Sequence, residues 1–125
     1  MREIKFRGWD DHYKTWIFGD LKLNEAGDKA IITPRMDGYL SPYCVDRNTV
    51  GQFTGLLDAD GREIYEGDIV KFAKPAYTDA PVVITWEDGA FMVDHDLYLG
   101  GRDLSRVTII GNVHDNPDLL EVDHD

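Results

Sequence analysis

Acidic side chains and four histidines make metal binding the first chemistry to consider in this chain. Residues 58–61 (Asp-Ala-Asp-Gly) begin like a calcium loop, but Arg62 stands at the fifth position, where such a loop needs an oxygen ligand. Residues 94–96 and 123–125 both read Asp-His-Asp, and neighbouring side chains on an extended strand point to opposite faces. The sequence therefore predicts no metal site, and a hairpin turn is the better interpretation of residues 58–61.

Nucleophilic and phosphate-binding chemistry has equally little support. The single cysteine, Cys44, has no local catalytic partner, and Ser41 and Ser105 are not in a Gly-x-Ser-x-Gly elbow. Gly100-Gly101-Arg102 is not part of a phosphate-binding P-loop. We therefore assign no catalytic residue, expect no cofactor, and favour a protein that is not an enzyme.

Any site must be positioned by the fold of a small acidic chain. The chain has 125 residues and a formal net charge of −11. Residues 1–50 carry eight acidic and eight basic side chains, so the whole of that charge lies in residues 51–125. An acidic surface repels phosphate backbones, which makes nucleic-acid binding by the C-terminal region unfavourable. The longest aliphatic stretches, residues 82–84 and 107–110, are too short to span a membrane, and the charged start is not typical of a signal peptide.

Short strands dominate the pattern. Alternating side chains predict strands at residues 4–9, 13–18, 29–33, 50–54, 69–72, 82–86, 90–93 and 106–113. Asp-Gly pairs at residues 60–61 and 88–89 predict tight hairpin turns, and Pro117 begins a short helical turn. Residues 34–49 show no period and are predicted to be an irregular loop. The fold class is mainly β, a small barrel or sandwich.

Most aromatic side chains fall on predicted strands, where core packing explains them. Tyr39 and Tyr43 lie in the irregular stretch instead. We interpret these two tyrosines as candidates for an exposed contact surface.

Four segments together resemble the YopX family of phage and prophage proteins. They are residues 1–10 (Met-Arg-Glu-Ile-Lys-Phe-Arg-Gly-Trp-Asp), 50–56 (Val-Gly-Gln-Phe-Thr-Gly-Leu), 58–70 (Asp-Ala-Asp-Gly-Arg-Glu-Ile-Tyr-Glu-Gly-Asp-Ile-Val) and 110–117 (Ile-Gly-Asn-Val-His-Asp-Asn-Pro). Gly8 replaces the usual alanine and Phe53 the commoner tyrosine. The motif residues that we single out, and interpret as structural, are Trp9, Gly51, Gln52, Gly55, Gly61, Tyr65, Gly67, Asp68, Gly111, Asn112, Asn116 and Pro117.

The resemblance implies a mainly β protein with a small N-terminal β-rich region followed by an SH3-like β-barrel. The corresponding boundaries are residues 1–49 for the N-terminal hairpin and irregular region, 50–122 for the barrel, and 123–125 for a flexible tail. The resemblance also implies a phage or prophage context, and hence the cytoplasm of a bacterial host. It implies no activity that transfers to individual residues.

Two functional hypotheses follow, with a hydrolase or nuclease as a third. The first is a non-enzymatic accessory protein that binds an unidentified host or phage protein or assembles with itself as a homo-oligomer, away from membranes. The second is a nucleic-acid-associated protein, because Arg2, Lys5, Arg7 and Lys14 lie close together in the neutral region, or an acidic DNA mimic acting on a host DNA-binding protein. Turn-rich motifs favour the first hypothesis.

Overall fold

The computed structural model describes residues 3–23, 29–35, 41–73, 80–87, 89–93, 97–98 (backbone) and 106–120. The chain divides into two compact units, Met1–Phe53 and Thr54–Asp125. The described strands are β1 (Phe6–Asp10), β2 (Thr15–Leu23), β3 (Lys29–Thr33), β4 (Tyr43–Leu57), β5 (Glu63–Tyr65), β6 (Asp68–Phe72), β7 (Val82–Glu87), β8 (Ala90–Val93), β9 (Leu97–Tyr98) and β10 (Val107–Asn112), followed by a 3₁₀ turn at Pro117–Leu120. The protein is thus mainly β, as the sequence predicts. In the described part of the chain, no helix is long and apolar enough to cross a membrane.

Antiparallel pairings in the first unit form a closed ring of four strands. β1 pairs with both β2 and β4, and β3 pairs with the same two strands. β2 pairs with both β1 and β3 by changing partner along its length. Its residues up to Gly19 oppose β1, and those from Asp20 onwards oppose β3. The buried side chains of this unit's core are Ile17, Ala30, Ile32 and Val45.

Gly19 stands at the corner where β2 changes partner. A Cβ atom built on this glycine would lie 2.1 Å from the backbone oxygen of Thr33. Since real Cβ atoms do not approach a backbone oxygen so closely, only glycine fits the corner.

β4 adapts to the ring through a bulge. Trp9 is paired with Asp46, but Arg7, two residues earlier, is paired with Gly51. Within the bulge, the Thr49 hydroxyl accepts a hydrogen bond from the Trp9 N–H at 2.8 Å and donates one to the Asp46 carbonyl at 2.6 Å. The side chain of Thr49 therefore replaces the backbone contacts that the bulge interrupts.

The second unit contains an antiparallel sheet in the order β10-β6-β7-β8-β9, and the end of β4 pairs with β5. Its core consists of Ile64, Val70, Val82, Ile84, Phe91, Val93 and Val107. Gly61 and Gly89 have φ values of 80° and 82°, the backbone state that the two Asp-Gly signals predict. Glu87 pairs with Ala90, so β7 and β8 are joined by a two-residue hairpin.

The predictions for β3 and β8 are confirmed to the residue, whereas the loop predicted at residues 34–49 is wrong in its second half. β4 begins at Tyr43 and continues to Leu57. The sequence obscures this start because the bulge places Asp46, Arg47 and Asn48 consecutively and breaks the period of two. β9 was not predicted. Several residues on which the sequence predictions depend lie outside the described part of the chain. They are Arg2, Tyr39, Ser105, residues 94–96 and 100–102, and the tail 123–125.

Candidate binding cleft in the first unit

The twelve motif residues do not converge on one site. Trp9, Gly51 and Gln52 belong to the first unit, where Gly51 opposes Arg7 and Gln52 opposes Phe6. The other nine belong to the second unit and lie mainly in turns and at strand ends. Among these, Gly55 has a φ of 85°, and Gly61 and Pro117 are exposed.

Tyr65, Gly67 and Asp68 do come together, in the turn between β5 and β6. The buried Asp68 carboxylate accepts a hydrogen bond from the Tyr65 N–H at 2.7 Å. Gly67 has a φ of 91°, which favours glycine, and its N–H donates to the Ile84 carbonyl at 2.8 Å. These contacts give all three residues a role in shaping the turn.

Gly111, Asn112 and Asn116 meet where β10 ends. The Asn112 side-chain oxygen accepts hydrogen bonds from the N–H groups of His114 and Asp115, at 3.0 and 2.9 Å. The Asn116 side-chain oxygen lies against Gly111, where a Cβ atom would approach it to 2.6 Å. The asparagines therefore cap the exit from β10.

Asp58 binds more groups than the hairpin prediction implies. One carboxylate oxygen accepts the N–H groups of Asp60 and Arg62, both at 2.9 Å. The other accepts the Ile109 N–H at 3.0 Å and the Arg62 guanidinium at 3.2 Å. Burial pushes the pKa of Asp58 upwards, but these backbone hydrogen bonds and the Arg62 charge outweigh it and lower the pKa. The turn is typical of the sequence pattern, but the contact with Ile109 has no local signal.

The loop from Asp58 to Arg62 also covers the outer edge of β10. The Ala59 N–H donates to the Val107 carbonyl at 2.8 Å, and the Arg62 guanidinium donates to the Ile109 carbonyl at 2.6 Å. Because these groups are already bonded, this edge is closed to strand pairing with another chain.

An open cleft of about 610 Å³ lies in the first unit. Its volume falls in the range of small-molecule pockets. The lining residues are aromatic, hydroxyl-bearing or charged, with the exceptions of Pro42 and Cys44: Asp10, Asp11, His12, Tyr13, Lys29, Ser41, Pro42, Tyr43 and Cys44. They come from the tip of the β1–β2 hairpin, the start of β3 and the segment that leads into β4.

Aromatic rings form the centre of this cleft. Tyr13 is 63% exposed and meets Tyr43 edge to face, with 5.8 Å between ring centroids. The His12 ring contacts Tyr13 in the same manner at 4.6 Å. Tyr43, which the sequence indicated as a contact residue, thus lines the cleft, whereas Tyr13 and His12 were missed. His12 lies in the turn that the sequence predicts and Tyr13 begins the predicted strand 13–18, so neither position marked these rings as part of a site.

The hairpin tip is held in place by Asp10. This carboxylate, in a residue only 3% exposed, accepts the N–H groups of His12 and Tyr13 at 2.9 and 3.1 Å. At the surface, the Lys14 ammonium bonds Asp11 at 2.8 Å, and this hydrogen bond and charge lower the pKa of Asp11. The rings of His12 and Tyr13 are therefore presented on an ordered loop.

Lys14 completes the loop with a φ of 56°, a left-handed conformation that is unfavourable for lysine. We expect Lys14→Gly to be more stable than Lys14→Ala by about 1 kcal/mol, because glycine adopts this conformation without a Cβ penalty. Both variants lose the ion pair with Asp11, so their difference isolates the backbone effect. Urea unfolding followed by tryptophan fluorescence measures the difference in the free energy of unfolding. Equal stability of the two variants would show that the backbone at Lys14 is not strained.

The cleft offers no obvious metal chemistry, since no group of three His, Cys, Asp or Glu side chains among the described residues is arranged to hold an ion. Cys44 is exposed on its wall. What the arrangement provides is an aromatic surface with hydroxyl and ammonium groups around it. That chemistry is suited to binding.

A second surface bears on the nucleic-acid hypothesis. The Arg7 guanidinium lies 4.9 Å from the Trp16 ring centre, and the Lys5 ammonium lies 5.2 Å from that of Phe53. Trp16 in turn packs edge to face against Trp9 at 5.7 Å. Cations and aromatic rings are interleaved here, but Arg7 is buried.

The fold and the cleft define a mainly β protein of two units with a candidate binding site in the first. The family model described as YopX protein matches residues 5–121, and the chain belongs to this family. Protein EF1440 from Enterococcus faecalis has a similar structure, with 25% sequence identity, a TM-score of 0.63 and coverage of 97% of this chain and 100% of EF1440. Protein yopX from Bacillus subtilis has the same fold at 20% identity and a TM-score of 0.58, covering 98% and 99%. A comparison with curated proteins finds no significant match.

Proposed function

We propose that this YopX-family protein is a phage or prophage accessory protein that works in the bacterial cytoplasm as a binding module. Its partner is a host or phage protein, and the contact is made through the cleft at Tyr13 and Tyr43. The proposal assigns no catalytic step to any residue.

The observation that carries this proposal is the exposed Tyr13 ring on a hairpin tip fixed by Asp10. Tyrosine is enriched in protein interfaces because it gives a large contact area while losing few rotamers. A ring held in place before binding avoids part of the entropy loss of complex formation. The contacts of this ring with His12 and Tyr43 leave 63% of the residue exposed.

The second unit supports the proposal differently. We infer an SH3-like barrel for it, on the basis of its short antiparallel strands and tight Asp-Gly turns. The segment 51–125 carries the whole net charge of −11. Such a surface would steer a basic partner towards the protein and affect association rate more than affinity.

Self-assembly through strand edges has less support. In the ring of the first unit, β1 and β3 pair with a neighbour on both sides, and the Asp58 loop covers the outer edge of β10. These three strands offer no free edge to a second copy. Light scattering at several protein concentrations measures this directly.

Nucleic-acid binding is the second candidate, favoured by the cation–aromatic contacts of Arg7 and Lys5. Three bases of this region have acidic partners: the Lys5 ammonium lies 3.7 Å from the Glu3 carboxylate, Lys14 bonds Asp11, and Arg35 bonds Asp20 at 2.8 Å, which lowers the pKa of Asp20. A gel shift with single- and double-stranded DNA at two salt concentrations tests it. Salt-sensitive binding of DNA would support this candidate. If the protein is instead a DNA mimic, it should bind a host DNA-binding protein and should not bind DNA.

We expect Tyr13→Ala to abolish most partner capture, because the substitution removes the exposed centre of the proposed interface. Tagged wild-type and variant proteins are used to capture partners from the bacterial host, and bound proteins are quantified by mass spectrometry. Trp86→Ala is the matched control, since Trp86 is a large ring, 46% exposed, in the other unit. Partners retained by Tyr13→Ala but lost by Trp86→Ala would contradict the assignment to the cleft.

A further inference from the structure

We propose that the loop from Asp58 to Arg62 is an autoinhibitory cover that keeps β10 from pairing with β10 of a second copy of this chain. When the loop is loosened, the uncovered edge forms an antiparallel dimer. The inference is independent of the cleft in the first unit. It depends on the groups that the loop occupies, on the composition of β10 and on the exposure of Arg62.

The direction of the backbone groups shows which residues of β10 face outward. In an antiparallel strand, the N–H and C=O of one residue point to the same side, and successive residues alternate between sides. The Arg106 carbonyl accepts the Ala73 N–H on the side of β6. The next residue, Val107, therefore presents its backbone groups to the outer edge, as does Ile109.

The loop binds the groups that a neighbouring strand would bind. The Ala59 N–H donates to the Val107 carbonyl at 2.8 Å. The Ile109 N–H donates to the Asp58 carboxylate at 3.0 Å, and the Ile109 carbonyl accepts the Arg62 guanidinium at 2.6 Å. Two of these three partners are side chains, which take the place of a strand's carbonyl and N–H groups.

The composition of β10 makes an uncovered edge prone to pairing. Residues 107–112 (Val-Thr-Ile-Ile-Gly-Asn) carry no charge, although residues 51–125 carry the whole net charge of −11. The first four are β-branched, and Ile110 is 39% exposed. Uncharged β-branched strands pair readily with other chains, and proteins commonly cover such edges. A second copy can approach β10 without placing like charges opposite each other.

A second copy also supplies the complementary groups. Two β10 strands related by a two-fold axis at Thr108 would join the Val107 carbonyl of each copy to the Ile109 N–H of the other. The same arrangement joins each Val107 N–H to the Ile109 carbonyl of the other copy. Pairing of this kind replaces the contacts of the loop on both copies, which is why we assign the edge to self-association.

Arg62 is the contact through which the cover can be loosened. Its side chain is 51% exposed, whereas that of Asp58 is fully buried. The turn itself is held by the Asp58 carboxylate, which accepts the backbone N–H groups of Asp60 and Arg62. Removal of the Arg62 side chain therefore frees the Ile109 carbonyl and leaves the bonds that form the turn.

The test uses the full chain with Thr108→Cys, in a Cys44→Ser background that leaves a single thiol. Opposed residues at the axis of such a pair have Cα atoms about 4.5 Å apart. That separation is within the range of disulfides. Mild oxidation by diamide, which takes up the two hydrogen atoms of the thiols, links paired copies, and non-reducing electrophoresis measures the linked dimer.

We expect Arg62→Ala to raise the yield of linked dimer about tenfold, because it removes the charge-assisted hydrogen bond to the Ile109 carbonyl. Arg62→Lys keeps a charged donor and should give an intermediate yield. Asp60→Ala is the matched control, since the exposed Asp60 carboxylate lies 3.6 Å from the Arg62 guanidinium and should change the yield less than about twofold.

A reporter elsewhere separates strand pairing from random collision. Thr15 is exposed in the first unit, and the linked dimer formed by Thr15→Cys should not respond to Arg62→Ala. Light scattering of Arg62→Ala with its natural Thr108 should show a dimer that increases with protein concentration, and a circular-dichroism spectrum establishes that the variant is folded.

Folded Arg62→Ala that stays monomeric, or that links through Thr108→Cys no more than the chain with Arg62, would overturn the inference. An equal response of Thr15→Cys would overturn it too. Arg62 is not part of the cleft, so capture of a partner through Tyr13 should be the same in Arg62→Ala. Failure of the edge cover therefore leaves the proposed function in place, and failure of capture leaves the edge cover in place.

Discussion

Replacing Asp58 by alanine is expected to lower the free energy of unfolding of the second unit by about 3–5 kcal/mol. The Asp58 side chain is fully buried and accepts the N–H groups of Asp60, Arg62 and Ile109. Without the carboxylate, these donors lose their partner, and the Arg62 guanidinium loses its ion pair at 3.2 Å. The bond from the Ile109 N–H also ties the turn to β10 across a sequence separation of 51 residues.

The three tryptophans allow the second unit to be observed separately. Trp9 and Trp16 lie in the first unit and Trp86 in the second. With Trp9 and Trp16 replaced by phenylalanine, urea unfolding monitored by fluorescence reports on Trp86 alone. Asp60→Ala is the control, since the Asp60 side chain is 65% exposed, and should change stability by less than about 0.5 kcal/mol. Equal effects of the two alanine substitutions would contradict the structural role of Asp58.

Acid should weaken the second unit through the same group. The pKa of Asp58 is lowered in the folded protein, so near pH 4 and below the unfolded chain binds more protons than the folded one. The stabilisation is fully present above the ordinary pKa of an aspartic acid and is lost as pH falls through the lowered value. Asp58→Asn cannot titrate, and we expect its stability to depend less steeply on pH between about 4 and 2. Identical slopes for wild type and Asp58→Asn would show that other carboxylates govern acid unfolding.

Gly19→Ala is expected to destabilise the first unit by about 3 kcal/mol or more, because the added methyl group would lie 2.1 Å from the Thr33 oxygen. This neighbour is backbone in a paired strand and cannot turn away as a side chain could. Relief requires β2 and β3 to separate at the corner of the ring. Fluorescence of Trp9 and Trp16 in a Trp86→Phe background reports on this unit by itself.

Gly61→Ala provides the matched comparison. Its added Cβ would meet no atom within 4 Å, but its φ of 80° is unfavourable for alanine. We therefore expect a loss of about 1 kcal/mol, from backbone strain alone. If Gly19→Ala cost no more than Gly61→Ala, the close contact with Thr33 would not determine the choice of glycine at the corner.

Local signals explain why some elements could be predicted. The Asp-Gly pairs predict the turns at Gly61 and Gly89 because the φ that they require is a property of the residues themselves. β3 and β8 alternate regularly and were placed to the residue. The start of β4 was not predicted. Its bulge depends on a hydrogen bond between Thr49 and Trp9, 40 positions away, and the local alternation of side chains does not show such a contact.

The candidate cleft could be anticipated only in part. Tyr43 stood out because it lies outside any strand that the sequence predicts. Tyr13 could not be assigned to the cleft from the sequence, because its partner Tyr43 lies 30 positions further along the chain. Their contact depends on the pairing of β2 and β4 with β3.

The sequence by itself determined the mainly β class, the family, the two Asp-Gly turns and the confinement of the net charge to residues 51–125. Each of these depends on residue type or on neighbours in the chain. Only the tertiary structure decided the ring of four strands, the covering of β10 by the Asp58 loop and the meeting of Tyr13 with Tyr43. These features join residues far apart in the chain, and the free energy that selects them comes from packing and hydrogen bonds formed only when the whole unit folds.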